Sequence, residues 1–179
     1  MSHYCDIAPG HYLHGPYHDN EYGFPVLDDS VMFERLVLEI NQAGLSWLTI
    51  LKKRKSIQEA YNNFNISKVS SYNEADIKRL LSNSGVIRNR LKIEATIYNA
   101  KQIKVIQKKH ISLNNWLYKH HPSTKNEWVK KFKDTFHFTG GEITNEFLMS
   151  TGFLPGAHSK SCPIFDVIYK LNPAWKTIS

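Results

Sequence analysis

Cysteine is nearly absent from this chain: Cys5 and Cys162 stand near opposite ends of 179 residues. So few exclude a disulfide-stapled framework and leave either two free thiols or a pair of metal ligands. No apolar run approaches the roughly 20 residues of a membrane-spanning helix. No repeat, low-complexity tract or Gly/Ser linker divides the sequence, so one domain over residues 1–179 is expected. The start, Met1-Ser2-His3-Tyr4-Cys5-Asp6, has neither the basic opening nor the apolar stretch of a secretory signal, and a cytosolic protein is expected. Acidic residues are also short: 16 against 23 Lys and Arg, a net charge of +7. That balance favours a polyanionic partner, because each cation set against a phosphate releases counterions. Charge alone does not decide the matter, since many basic proteins bind no nucleic acid.

No persuasive period-2 pattern occurs, and the periodicity present is helical. The first stretch, to about Asp29, is rich in Gly, Pro, His and Tyr and reads as ordered loop with short turns. Asp28, Asp29 or Ser30 can cap the helix that follows. Its buried stripe is Phe33, Leu36, Val37 and Ile40, spaced i, i+3, i+4, i+7, and Gly44 breaks it. Leu45, Trp47, Leu48 and Leu51 open a second apolar stretch running into Lys52-Lys53-Arg54-Lys55. A short helix is expected around Ala60, Tyr61 and Phe64. Asn73 reads as a cap, with Glu74 and Asp76 suiting the helix dipole. Ile77, Leu80 and Leu81 face inward, and Ser82-Asn83-Ser84-Gly85 ends that helix. A long helix starts near Arg88, and Trp116 and Leu117 anchor the next. Thr124 and Glu127 form a capping box before Trp128 and Phe132. A last main helix carries Phe147 and Leu148 and stops at Gly152. The tail after Cys162, with Phe165, Tyr169 and Trp175, is read either as packing back or as fraying. The fold class is all-α, a compact helical domain.

Three groups of residues could carry chemistry. Cys5, His18, His158 and Cys162 make a Cys2His2 set; four such ligands suit closed tetrahedral zinc, and the alternative is ordinary surface histidines. Glu39 lies on a mostly apolar helix, either at the edge of the buried stripe or in a pocket. With Tyr17, Tyr22 and Trp47 it could wall a pocket for a flat cation, although each aromatic alone is commoner in a core. The turn before Val86-Ile87-Arg88-Asn89-Arg90-Leu91-Lys92 could offer amides and charge to a phosphate; the alternative is a plain helical hairpin with a solvated basic face.

Four blocks, in order, carry a resemblance: Tyr17-His18-Asp19-Asn20-Glu21-Tyr22-Gly23, Gln42-Ala43-Gly44-Leu45-Ser46-Trp47, Leu51-Lys52-Lys53-Arg54 and Gly85-Val86-Ile87-Arg88-Asn89-Arg90. They resemble the bacterial 3-methyladenine DNA glycosylase I family, and the likeness runs from about Cys5 to Cys162. It implies a helix-hairpin-helix glycosylase fold, with the hairpin near residues 77–93 and Gly85, Arg88, Arg90 and Lys92 as DNA contacts. It implies a structural zinc on Cys5, His18, His158 and Cys162 that joins the chain ends. It places the pocket carboxylate on Glu39, the stacking Trp on Trp47 and the pocket tyrosine on Tyr17; Tyr22 is added as a further base contact. The implied activity is hydrolytic removal of 3-methyladenine from alkylated duplex DNA. No matched lysine nucleophile is seen, so no lyase step is expected, and neither is an organic cofactor. A monomer is expected, because scanning short stretches of DNA needs no second subunit.

The chain departs from the family pattern at Ile7 and His14, where aromatics are usual, at Asn145, where a Tyr is common, and at Leu91, where some members carry Gly. Two other readings follow: a glycosylase with altered alkylpurine preference, such as 3-methylguanine, and a non-catalytic module recognising damaged DNA. Retention of Glu39, Tyr17 and Trp47 argues against the second. A zinc hydrolase is disfavoured, because four protein ligands leave no position for water.

Overall fold

The computed structural model describes residues 3–178, with side chains through Thr177; residues 1, 2 and 179 of the expected domain lie outside that range. Among the described residues there is no β-strand, and the all-α expectation holds. Nor, among the described residues, is any helix long and apolar enough to cross a membrane.

Helix α3 (Asp29–Gln42) organises the molecule. Asp28 caps it by accepting from the amides of Ser30 and Val31. Every residue from Met32 to Asn41 is buried, so α3 is enclosed on all sides rather than amphipathic. Its buried polar members, Glu34, Arg35, Glu39 and Asn41, are unusual for such a helix and mark where partners or ligands must be found. Gly44 follows at φ +82, which ends the helix and turns the chain into α4 (Trp47–Ala60).

Helix α7 (Arg90–His110) is the second long element, packed on α3, α5 (Ile66–Ser70), α6 (Glu74–Ser82) and α8 (Leu113–His120). Asp29 ties α3 to α8 by accepting the Leu113 amide at 2.9 Å. Asn73 and Asp76 form a capping box on α6, and Thr124 and Glu127 form one on α9 (Lys125–Thr135), as the sequence indicates. Helix α10 (Gly141–Ser150) packs on α3 and α9. Trp128, Phe132, Phe147 and Phe153 fill the space between these helices.

The N-terminal end differs from its sequence reading, and at the C-terminal end the structure decides between the two readings. The loop expected before Asp29 contains α1 (Tyr4–Ile7) and α2 (His14–Asn20). Gly15 and Pro16 suggest a loop, yet both fall in the first turn of α2, where proline lacks only an amide that would be free anyway. The tail does not fray: it forms α11 (Pro163–Lys170) and a 3-10 turn, burying Ile168 and Ala174. The expected helix near residues 60–64 is the end of α4 and a 3-10 turn, with α5 beginning at Ile66.

Candidate active site and metal centre

A cavity opens where α1 and α2 meet α3, α4 and α10. It measures about 640 Å³, and its walls include Tyr4, Tyr17, Tyr22, Glu39, Trp47 and Glu146. Each wall has a local cause. Ser46 caps α4 by accepting from the Thr49 amide, which sets Trp47 at the first turn. Tyr17 and Trp47 lie with ring centroids 5.1 Å apart, and Tyr17 and Tyr22 at 5.8 Å. Tyr22 swings into the cavity because Gly23, at φ +84, lets the chain turn beside Ala157, where a Cβ would come within 2.7 Å.

Beneath Tyr17 is a partly buried ion network. Arg35 donates to the Tyr17 hydroxyl at 3.1 Å and to Glu21 at 2.7 Å, and its guanidinium lies 4.9 Å from the Tyr17 ring centre. Arg54 pairs with both Glu21 and Glu34. Glu39 belongs to no such pair. It is 4 % exposed, and burial first, then the charge of Glu146, push its carboxyl up to about 8 against the pull of Arg35. A carboxyl shifted in this way by burial and a like charge, facing a cavity, is typical of functional sites.

The structure therefore brings Glu39, Tyr17, Tyr22 and Trp47 to one cavity. Sequence reasoning overlooked Tyr4, Glu146 and Arg35. Tyr4 lies on α1 and is held by His14, whose Nδ1 is 2.9 Å from its hydroxyl. Ile7 and His14, the departures that put the lining in question, are not among the cavity's walls, and Ile7 is 54 % exposed; Asn145 does not line it either.

Cys5, His18, His158 and Cys162 come together on the flank of the same cavity, their ligand atoms all within 4.8 Å of one another. The sulfur–nitrogen separations are 3.6 Å for Cys5–His158, 3.5 Å for Cys162–His158 and 3.8 Å for Cys162–His18. An ion with Zn–S near 2.3 Å and Zn–N near 2.0 Å in a tetrahedron sets such edges at about 3.5 Å. The outer nitrogens are already bound: His18 Nδ1 to Asp19 at 2.7 Å and His158 Nε2 to the Tyr22 carbonyl at 2.8 Å. Those bonds aim His18 Nε2 and His158 Nδ1 at the cluster. The four residues could hold a metal ion.

Residues 83–89 join α6 to α7 as a tight turn. A Cβ at Gly85 would meet Ser56 of α4 at 2.9 Å, so glycine is needed there for close approach. The Gly85 amide donates to Asn83 Oδ1, and Lys53 donates to the Ser84 carbonyl. Arg88 is exposed and unpaired among the described residues. Arg90 is paired with Glu74 and Glu94. Lys92 requires a correction. It is 5 % exposed, and its ammonium donates to the carbonyls of Asn41 at 2.9 Å and Ala43 at 2.6 Å. It caps the end of α3 and does not face an external phosphate.

A family model described as methyladenine glycosylase matches residues 9–139. A DNA-3-methyladenine glycosylase of Haemophilus influenzae is 36% identical over 166 residues, covering 82% of this chain and 89% of that protein. DNA-3-methyladenine glycosylase 1 of Escherichia coli is 46% identical over 89 residues, 50% of this chain and 48% of that protein. Among solved structures, a tyrosine-to-phenylalanine variant of 3-methyladenine DNA glycosylase I in complex with 3-methyladenine superposes with a TM-score of 0.83. It is 29% identical, and the superposition covers 89% of this chain and 96% of that one. The Staphylococcus aureus enzyme superposes at 0.81, again at 29% identity, over 89% and 95% of the two chains. The chain belongs to the methyladenine DNA glycosylase family.

Proposed function

We propose that this protein hydrolyses the N-glycosidic bond of 3-methyladenine in alkylated double-stranded DNA. The observation that supports it most is a buried, unpaired carboxylate, Glu39, in a cavity walled by Tyr4, Tyr17, Tyr22 and Trp47. The glycosidic bond is inaccessible inside a duplex, so the damaged nucleotide must swing out. Methylation at N3 gives the base a positive charge, which weakens its hold in the duplex and makes it a better leaving group. In the cavity the flat cation stacks on Trp47 and Tyr17, with Tyr22 beside it, and draws Glu39 into its ionised form. Aromatic faces contribute about 0.5–2 kcal/mol toward a cation, too little for full discrimination. The lability of the damaged nucleotide supplies much of the rest.

Binding a cationic ground state does not by itself speed cleavage. As the C1′–N9 bond breaks, its electron pair moves onto the base, which leaves neutral, and positive charge develops on the sugar. DNA phosphates stabilise that charge. A water adds to C1′ and gives its proton to solvent.

The same reading assigns α6, residues 83–89 and α7 as a helix-hairpin-helix DNA contact. Gly85 permits the turn, Arg88 is its free cation, and Arg90 reaches a phosphate by exchanging partners with Glu74 or Glu94. Cys5, His18, His158 and Cys162 would hold a structural zinc, whose chemistry is a cross-link between the two ends of the fold. The protein is proposed to act as a single domain and a monomer in the cytosol, without an organic cofactor.

The test is excess protein on methylated duplex DNA, the released bases resolved by chromatography, beside Glu39→Gln. Release of 3-methyladenine, with strong loss in the variant, is expected. DNA binding without any base release would leave a damage-recognition module as the better account.

A further inference from the structure

Glu146 has no part in the reaction described above, yet it shares the cavity with Glu39. It sits on α10 between Glu142, one turn before it, and Met149, one turn after, and both of these also line the space. Tyr22 donates to its Oε2 at 3.0 Å, which fixes the side chain and leaves Oε1 for an occupant.

Two carboxylates in one half-dry cavity repel each other. Burial raises the Glu146 carboxyl, the Tyr22 hydrogen bond opposes that, Glu142 adds to it, and Lys125 of α9 opposes it. Glu39 is raised by burial and by Glu146, and only partly relieved by Arg35. Arg35 directs its own hydrogen bonds to Tyr17 and Glu21. The remaining ionisable groups around the pair are Tyr4 of α1, Tyr17 of α2, Tyr22 and His3. An apolar slot for a neutral base would be more stable with an uncharged residue at position 146. A positive occupant lets both carboxylates ionise side by side, and with a neutral one the repulsion is relieved only by keeping a proton on the pair.

We propose that Glu146, held by Tyr22, is a second recognition carboxylate that sets the cavity's preference for positively charged purines over neutral ones. The proposal rests on the base-excision reading and deepens it. One of the two carboxylates accepts from an N–H of the base, and both balance its charge. Once the glycosidic bond breaks and the base is neutral, the repulsion returns and favours release of the product.

The test compares two probes: 3,9-dimethyladeninium, a fixed cation, and 9-methyladenine, its neutral counterpart. Binding is read from intrinsic tryptophan fluorescence, since Trp47 lines the cavity, in the native full chain, Glu146→Gln and Tyr22→Phe. The native protein is expected to prefer the cation. Glu146→Gln is expected to bind the cation about tenfold more weakly and the neutral probe unchanged, while Tyr22→Phe loses part of the same preference. Unchanged binding of the neutral probe also shows that the variant is folded. Cation binding weakens as the pH falls and the carboxylates take up protons. That weakening should move to lower pH in Glu146→Gln, because Glu39 loses a repelling neighbour. Equal loss for both probes, no loss for the cation, or an unmoved acid limb would overturn the proposal. Native protein that releases 3-methyladenine from DNA while any of these holds would overturn this proposal alone. Native protein that releases no base would overturn both readings.

Discussion

A single buried carboxylate leaves a signature in stability as well as in activity. Burial and the charge of Glu146 push the Glu39 carboxyl of the folded protein up to about 8 from an ordinary value of 4.5. Its folded pKa is raised, so the stability of its neutral form is fully present below about pH 4.5 and is lost as the pH rises toward 8. The interval corresponds to roughly 5 kcal/mol for a group almost wholly buried. Glu39→Gln keeps the neutral shape at every pH. The variant should melt within a degree or two of the native protein at pH 5 and about 10 °C above it at pH 9. Parallel melting curves at both pH values would show that Glu39 is ionised at no cost and is not a poised group. Glu39 was visible in the sequence as a charge on an otherwise apolar helix. Glu146 was not: between Asn145 and Phe147 it looks like an ordinary surface residue, and only the approach of α10 to α3 and Tyr22 gives it a place in the cavity.

At the scale of elements, the sequence indicates helices through their caps: α6 and α9 begin where Asn73 and Thr124 say they should, and of the three candidates for α3 the cap is Asp28. What it does not indicate is the direction in which a charge points. Arg88 and Lys92 read alike as cations of one hairpin. In the fold, the Lys92 ammonium reaches back to the carbonyls of Asn41 and Ala43, some fifty positions earlier in the chain, and steadies the turn that carries Trp47. Hydrogen bonds from a charged donor are worth about 1.5–3 kcal/mol. Lys92→Met should therefore lower the melting temperature by several degrees and weaken base binding, with little change in the salt dependence of DNA affinity. Arg88→Met should do the reverse: an unchanged melting temperature, and a slope of log affinity against log salt smaller by about one. Interchanged results would place Lys92 on DNA and Arg88 in the framework. Residues 101–134 carry nine lysines against Glu127 and Asp134, so the whole net charge of +7 falls there, and the rest of the chain is balanced.

The whole molecule is closed at its ends. Cys5 and His18 come from the first two helices, His158 and Cys162 from beyond α10, and the base cavity lies beside their junction. The ligand set could be collected from the sequence, but not its coupling to the cavity, which runs through backbone and neighbours. Tyr4 precedes Cys5, Tyr17 precedes His18, and the Tyr22 carbonyl is hydrogen-bonded to His158. An ion held at a thousand times its dissociation constant adds about 4 kcal/mol to the folded state. For a domain of this size that is roughly 10 °C. Protein stripped by a strong chelator should melt lower by an amount of that order and recover when zinc is returned. The stripped protein should also bind 3,9-dimethyladeninium more weakly, since Tyr4, Tyr17 and Tyr22 lose their common anchor. Cys162→Ser should reproduce both effects and resist rescue by zinc. A loss of thermal stability without a loss of base binding would separate the cross-link from the cavity, and the metal would then serve only to hold the two ends together.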